Sequence, residues 1–223
     1  MVLNVGEEEN IEAIKQWWDT NGTSLLVGFA VVAAGYVSWM FWQNSRDAAV
    51  QEASDLYEEI MQLAVVDPGV TISDDDSARI GAIADQLQTE YPNLVYALYA
   101  SLFSAREAVR AGDLEEAEQE LQWLLDNGQG GLFSNTDEGL LLTARLRLGR
   151  VILARGEAER ALELVSSVDP GSFESAFSEL RGDIYVALDR PMDARDSYIA
   201  AQQAGSGSSM LQAKIDDLPS DAS

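Results

Sequence analysis

The sequence contains no cysteine and no histidine. Without cysteine there can be no disulfide, no thiolate nucleophile and no thiolate ligand for zinc or an iron–sulfur cluster. Without histidine there is no imidazole base, no Ser-His-Asp triad and no histidine metal ligand. We therefore expect neither a cofactor nor a metal site, and the commonest hydrolase and metalloenzyme chemistries are excluded.

Basic residues are scarce: 14 Lys and Arg stand against 38 Asp and Glu, which gives a formal net charge of -24. A phosphate backbone would be repelled by such a surface, so we expect no nucleic-acid partner. An enzyme built on carboxylates alone is the remaining catalytic alternative. No carboxylate pair stands out from the helix-surface acids, and the sequence therefore predicts a protein that is not an enzyme.

One long stretch, residues 20–45, lacks any charged residue. Its apolar part, residues 25–42, would span about 27 Å as a helix, close to the roughly 30 Å of a bilayer's hydrocarbon core. Aromatic residues, which favour the headgroup level, stand at both ends: Trp17, Trp18, Tyr36, Trp39, Phe41 and Trp42. We predict a short segment over residues 1–24 and a single transmembrane helix over residues 25–42.

Two alternatives to a membrane anchor are a buried core helix and a cleavable signal peptide. A core helix rarely lacks a polar face over such a length. A signal peptide begins with basic residues, whereas here the residues before the span are mainly acidic. We therefore expect an uncleaved anchor, but the flanking charges leave its orientation open, because Lys15 on one side balances Arg46 on the other.

The chain after Arg46 alternates helical patterns with short breaks and shows no sustained strand pattern. Residues 47–65 and 77–89 predict two helices, and the second is preceded by Asp74, Asp75 and Asp76, acids that suit a helix N-terminus. Further along, a small residue is followed twelve positions later by alanine, with a turn signal between them, three times. The pairs are Ala105 and Ala117, Gly149 and Ala161, and Gly182 and Ala194.

Two antiparallel helices that meet at a small pair produce this pattern, which is the tetratricopeptide arrangement. Together with a degenerate first pair, it predicts an all-α solenoid of about three and a half helix pairs over residues 43–205. The surplus residues between the first two small pairs predict a Gly-rich loop over residues 127–138. Residues 206–223 predict a flexible turn, a capping helix with Leu211, Ile215 and Leu218 on one face, and a tail.

Stacked helix pairs form a concave groove, and the groove is what binds partners. The repeat register predicts that the first helix of each pair contributes the following residues to it: Tyr99, Leu102, Arg106, Arg110, Thr143, Leu146, Arg150, Glu179 and Asp183. Arginines on that face can hold carboxylates of a partner. The alternative is that they balance neighbouring acids or helix C-termini, as Arg110 would before Ala111 and Gly112. The small pairs are assigned to packing.

Several segments resemble the YfgM family, ancillary subunits of the bacterial SecYEG translocon. They are EEENIEAIKQWWDTNGTSLLVG with its WW-x-x-NG leader, YPNLVYALYASLFSAREAVRAGDLEEAEQELQWLL, LRLGRVILARGEAERALELV and MLQAKIDDL. The resemblance runs essentially from end to end. It implies an inner-membrane protein with a cytoplasmic N-terminus and a periplasmic repeat domain.

The resemblance also implies association with SecYEG and with PpiD, a membrane-anchored periplasmic chaperone, and a role in passing newly translocated clients to such chaperones. The strong acidity departs from the family; altered partner affinity and a saline habitat are its two open explanations. A function of another class, a membrane-anchored regulator that sequesters a signalling component, stays as the alternative. The proteins that co-purify distinguish the two functions: secretion machinery and periplasmic chaperones indicate the first, and a cytoplasmic regulator indicates the second.

Overall fold

The computed structural model describes residues 5–65, 71–128 and 138–219. Within these ranges the regular structure is helical and contains no strand, which confirms the all-α prediction. The helices are α1 (Val5–Ala64), α2 (Asp74–Glu90), α3 (Val95–Ala111), α4 (Leu114–Gly128), α5 (Glu138–Ala154), α6 (Ala158–Ser166), α7 (Glu174–Ala187), α8 (Pro191–Gln203) and α9 (Ser209–Asp216). A single 3₁₀ turn, Gly171–Phe173, precedes α7.

The chain divides into two compact units, Met1–Glu52 and Ala53–Ser223. The first unit contains the apolar stretch of α1. Among the described residues, Ile14–Ala64 is the one helical segment long and apolar enough to cross a membrane, and none of its most apolar window is buried. This exposure contradicts the core-helix alternative, because a core helix covers its apolar side chains with protein.

The apolar side chains of this span are exposed along its whole length, from Leu25 at 48% to Trp42 at 55%. At its far end the Arg46 guanidinium lies over the Trp42 ring, 4.9 Å from the centroid. An amphipathic aromatic ring beside a basic side chain is typical of the membrane–water interface. Lipid is the environment that would cover such a surface.

The second unit starts with an incomplete helix pair, formed by the end of α1 and by α2. Ala53 and Ile60 share one buried cluster with Ile80, Ile83 and Leu87. This is the degenerate first pair that the sequence predicts. Counted as a half, it precedes three complete pairs.

The N-terminus of α2 is capped by a side chain. The Ser73 hydroxyl accepts a hydrogen bond from the Asp76 amide at 3.1 Å, and the three predicted acids, Asp74 to Asp76, occupy the first turn. Carboxylates there oppose the positive end of the helix dipole. The acids therefore have a structural explanation at this position.

The complete pairs are α3 with α4, α5 with α6, and α7 with α8, each joined by a tight turn. Gly112 and Gly156 adopt φ of 82° and 83° in the first two turns, a conformation that glycine tolerates best, and Asp189 adopts 55° in the third. All six residues of the small pairs are buried: Ala105, Ala117, Gly149, Ala161, Gly182 and Ala194.

Helix α9 covers the end of the stack. Leu211 and Ile215 are buried in one cluster with Ala194, Tyr198 and Ala201 of α8. Leu218 is partly buried against the same cluster. The capping helix is therefore present, as predicted, although it ends at Asp216.

Two predicted segments are only partly described. The Gly-rich loop falls mostly on residues 129–137, which lie outside the described residues, while Asn127 and Gly128 belong to α4 and Glu138 begins α5. The predicted turn before α9 is non-helical over residues 204–208. Its flexibility and the boundaries of the topological segments stay predictions.

Candidate partner-binding groove

A cavity of about 400 Å³ opens between the first helices of two neighbouring pairs, α3 and α5, with α4 behind them. Its wall is mostly apolar, although three arginine side chains border it. The residues that line it are Ala105, Arg106, Val109, Leu114, Leu121, Arg147, Arg150, Val151 and Ala154. We call it the α3–α5 cavity. It includes two of the arginines that the repeat register assigns to the groove.

Three arginine side chains border this cavity. Burial lowers the pKa of Arg147 below its usual value, and the positive charges of Arg106 and Arg150 lower that pKa further. Arg147 donates through Nη1 to the Leu102 carbonyl at 3.4 Å. The three side chains, Arg106, Arg147 and Arg150, are the arginine cluster of this site.

The arginine cluster has little internal charge compensation. Arg106 donates through Nε to the Glu107 carboxylate at 2.9 Å. Across the described parts of the chain, neither Arg147 nor Arg150 has a carboxylate oxygen within 4.0 Å, whereas most of the other arginines there do. The cluster therefore has free capacity for an external anion.

An aromatic patch adjoins the cluster. The ring of Tyr57, near the end of α1, lies 5.7 Å from Tyr96, 6.2 Å from Tyr99 and 6.2 Å from Phe103, all three of which are on α3. Arg106 links the patch to the cluster, because its guanidinium lies over Phe103 at 5.2 Å. Burial raises the pKa of the Tyr57 hydroxyl, and the nearby Tyr99 adds to the effect.

The four side chains of this aromatic patch are partly buried, so each keeps part of its surface exposed. Tyrosine and arginine dominate the energetics of many protein interfaces, since they combine large contact area with hydrogen-bonding groups. The patch and the cluster together form a surface suited to a polypeptide.

Arg110, which the register also places in the groove, lies in a different cleft, between α2 and α3. It donates through Nε to Glu107 at 2.8 Å and through Nη1 to the Ile72 carbonyl at 2.7 Å. Glu107 is 5% exposed and so needs these positive neighbours. This geometry matches the charge-balancing alternative for Arg110.

Three other predicted groove residues make contacts within the fold itself. Leu146 is 7% exposed and belongs to the largest core cluster. The Thr143 hydroxyl donates to the Gly139 carbonyl at 2.7 Å in the same helix. Leu102 is partly buried and meets the cluster through its carbonyl.

The acidic residues predicted for the far end of the groove are engaged by α9. Lys214 donates to Glu179 at 2.9 Å and to Asp183 at 2.7 Å, and the Tyr198 hydroxyl also donates to Asp183 at 2.7 Å. Burial opposes the charge of Lys214, but the hydrogen bonds to Asp183 and Glu179 outweigh it and raise its pKa. Glu179 and Asp183 therefore bind α9 to the end of the stack through Lys214.

A second buried carboxylate, besides Glu107, lies on α4. Glu120 of α4 is 7% exposed and accepts a hydrogen bond from the Gln88 amide at 2.6 Å. Burial raises its pKa to about 7, and the charges of Asp85 and Glu116 push in the same direction. Within the described ranges no group of three carboxylates is arranged to hold a metal ion.

Sequence reasoning missed Arg147, Tyr57, Tyr96 and Phe103. The signal for Arg147 was present, because it precedes Arg150 by three positions and residues so spaced share one face of a helix. Tyr57 had no such signal, since it belongs to the degenerate first pair, whose register the small pairs do not define.

The fold defines a class of protein: a helical-repeat protein with one helix that is long and apolar enough to cross a membrane. The chain belongs to the family described as tetratricopeptide repeat-like domain, which matches residues 15–220. The predicted repeat architecture is thereby confirmed. No solved structure matches the chain.

Curated relatives extend over nearly the whole chain and carry one name, ancillary SecYEG translocon subunit. The Haemophilus influenzae protein is 29% identical over 96% of this chain and 98% of its own length. The Neisseria gonorrhoeae protein is 27% identical over 98% and 100%. The Escherichia coli protein is 26% identical over 98% and 99%. The predicted resemblance to the YfgM family is confirmed.

Proposed function

We propose that this protein is an ancillary subunit of the SecYEG translocon in the bacterial inner membrane. Its repeat domain holds newly translocated polypeptides and links translocation to periplasmic chaperones, including one of the PpiD type. The names of the near-full-length relatives support the association with SecYEG. The repeat fold and the lack of histidine and cysteine support an adaptor that works without catalysis.

The observation that carries the binding role is the continuous surface made by the aromatic patch and the α3–α5 cavity. Partly exposed rings accept many apolar side chains, and the arginine cluster adds hydrogen-bond donors beside an apolar recess. Such a surface can hold varied extended segments by weak contacts. Weak contacts suit a protein that must release its clients.

Attachment to the membrane makes weak contacts sufficient. A binding module tethered near the point where clients emerge meets them at an effective concentration that reaches the millimolar range for short tethers. The exposed apolar span supplies that attachment. We therefore expect clients to be held close to the translocon exit.

The proposed topology places residues 1–24 in the cytoplasm, residues 25–42 in the membrane and the repeat domain of residues 43–205 in the periplasm, followed by the cap and tail of residues 206–223. Alkaline phosphatase fused after Ser223 is active only when it is exported. We expect full activity of this fusion in intact cells. An inactive fusion, with a cytoplasmic reporter active at the same site, would place the domain in the cytoplasm and contradict the proposal.

Co-purification tests the function itself. Tagged full-length protein extracted in mild detergent, after brief crosslinking in cells, should enrich SecYEG and periplasmic chaperones when analysed by mass spectrometry. An unrelated single-span protein with the same tag is the control for membrane abundance. Enrichment of a cytoplasmic regulator without SecYEG would instead support a sequestering function.

A further inference from the structure

The geometry points to a specific ligand chemistry for the α3–α5 cavity: an extended segment of a partner protein in which an apolar side chain stands beside one or two carboxylates. The inference rests on the proposed function, because it names what the groove selects among the chains that it meets. The apolar side chain enters the cavity. The carboxylates bind the arginine cluster at its edge.

The size and lining of the cavity support the apolar half of this chemistry. A volume of about 400 Å³ lies within the roughly 300–1,000 Å³ usual for small-ligand sites. Val109 on its edge is 46% exposed, so an entering side chain would cover an apolar surface that now faces water. Because the hydrophobic effect grows with the apolar area removed from water, this burial favours leucine, phenylalanine and similar side chains.

The charges support the acidic half. Helix α5 carries Arg145, Arg147 and Arg150, and Glu138 at its first position is its single acid. Most of the other arginines in the described repeat domain bind carboxylates of the chain itself, as Arg155 and Arg160 do with Glu118. Like charges held together at the arginine cluster are relieved by an external carboxylate, which guanidinium groups bind with two parallel hydrogen bonds.

The net charge of -24 does not oppose this selection at close range. At physiological ionic strength the screening length is about 8 Å, so distant acids act weakly on a carboxylate that touches the cluster. Attraction to the arginine cluster and repulsion from the whole chain respond oppositely to salt. Affinity governed by the cluster falls as salt rises, whereas affinity limited by repulsion from the whole chain increases.

Fluorescence anisotropy with full-length protein in nanodiscs tests this chemistry. The probe is the labelled peptide GSGLEFDSGS, and the comparison peptides are GSGLQFNSGS, GSGLKFKSGS and GSGSESDSGS. We expect the first peptide to bind at least tenfold more tightly than the other three. We also expect its affinity to fall severalfold between about 50 and about 300 mM NaCl.

Three variants locate the binding. Arg150→Glu reverses one charge of the cluster, and Val109→Trp fills the cavity while leaving every charge in place; each should weaken binding of the probe at least tenfold. Arg190→Glu is the matched control, because Arg190 is 48% exposed, belongs to the α7–α8 turn and makes the same change in net charge. It should bind the probe as the unchanged protein does.

Equal binding of the acidic and neutral peptides, affinity that rises with salt, or normal binding by folded Arg150→Glu and Val109→Trp proteins would overturn the inference. Co-purification separates this failure from that of the proposed function. If SecYEG and chaperones are recovered while the peptides are not distinguished, the function stands and the ligand chemistry is wrong. If the peptides are distinguished but SecYEG is not recovered, the ligand chemistry stands and the proposed function is wrong.

Discussion

Gly182→Ala is expected to lower the free energy of unfolding of the repeat domain by about 2–4 kcal/mol. A Cβ at this position would lie against Cε1 of Tyr198, far inside contact distance. Tyr198 cannot easily move away, because it is 3% exposed and its hydroxyl is bonded to Asp183. Urea unfolding of the full-length protein in detergent, followed by circular dichroism, measures the change.

Gly81→Ala is the matched control for this substitution. Gly81 also lies within a helix, but a Cβ there would meet nothing within 4 Å. Alanine should therefore stabilise α2 by about 0.5–1 kcal/mol, through its better helix propensity and a smaller entropy loss on folding. Changes of the same sign at both positions would show that the close approach at Gly182 does not determine stability.

Glu120→Gln is expected to stabilise the repeat domain by up to about 3 kcal/mol at about pH 8, with little change at about pH 4.5. Burial holds the Glu120 pKa in the folded protein at about 7, above the 4.5 of an ordinary glutamate. Between these values the folded state keeps a proton that the unfolded state releases. Stability from this group is therefore present at low pH and is lost as pH rises toward 7.

Glutamine removes that loss, because it is neutral at every pH and its amide oxygen can still accept from Gln88. Unfolding free energies measured from about pH 4.5 to pH 8 give the difference between the two proteins. Glu115→Gln, at an exposed position of the same helix, is the control and should leave the curve nearly unchanged. A Glu120→Gln curve parallel to that of the unchanged protein would contradict the assigned pKa.

Much of the fold follows from local sequence patterns. The length of the apolar span and its aromatic ends are enough to predict a transmembrane helix. The small residues and the turn between them are enough to predict each helix pair. Ala105 with Ala117 illustrates the reason. Two helices approach closely only where both side chains are small, so the close contact can be predicted from small residues at a fixed spacing. Gly112 and Gly156, the turn signals between two of these pairs, lie in the turns with positive φ.

The site was less predictable, since it depends on which helices of different pairs meet. Arg110 and Arg106 are one helical turn apart, yet Arg110 binds Glu107 and the Ile72 carbonyl in another cleft. Glu179 and Asp183 are on the first helix of their pair, as the register predicts, but both form ion pairs with Lys214 of α9. Glu107 lies three positions from Arg110, a spacing that the sequence shows. The Ile72 carbonyl and Lys214 have no signal at fixed spacing, because they lie roughly 30 to 40 residues from their partners.

Buried charge was also outside the range of sequence reasoning. Glu120 follows Glu115, Glu116 and Glu118 in α4, and nothing in the local pattern separates it from these acids. Only the packing of α2 and α3 against it, including the contact with Gln88, makes it a buried group with a raised pKa. The raised pKa of Glu120 therefore cannot be predicted from its place in a run of acids.

Photocrosslinking in living cells tests the central claim most directly. A benzoylphenylalanine placed at Tyr99, in the aromatic patch, should capture polypeptides in the act of translocation, and the capture should stop when secretion is blocked. The same group at Glu163, exposed on α6, should capture few of them. Equal capture from both positions, or capture from Tyr99 that persists without secretion, would contradict a groove that holds newly translocated chains.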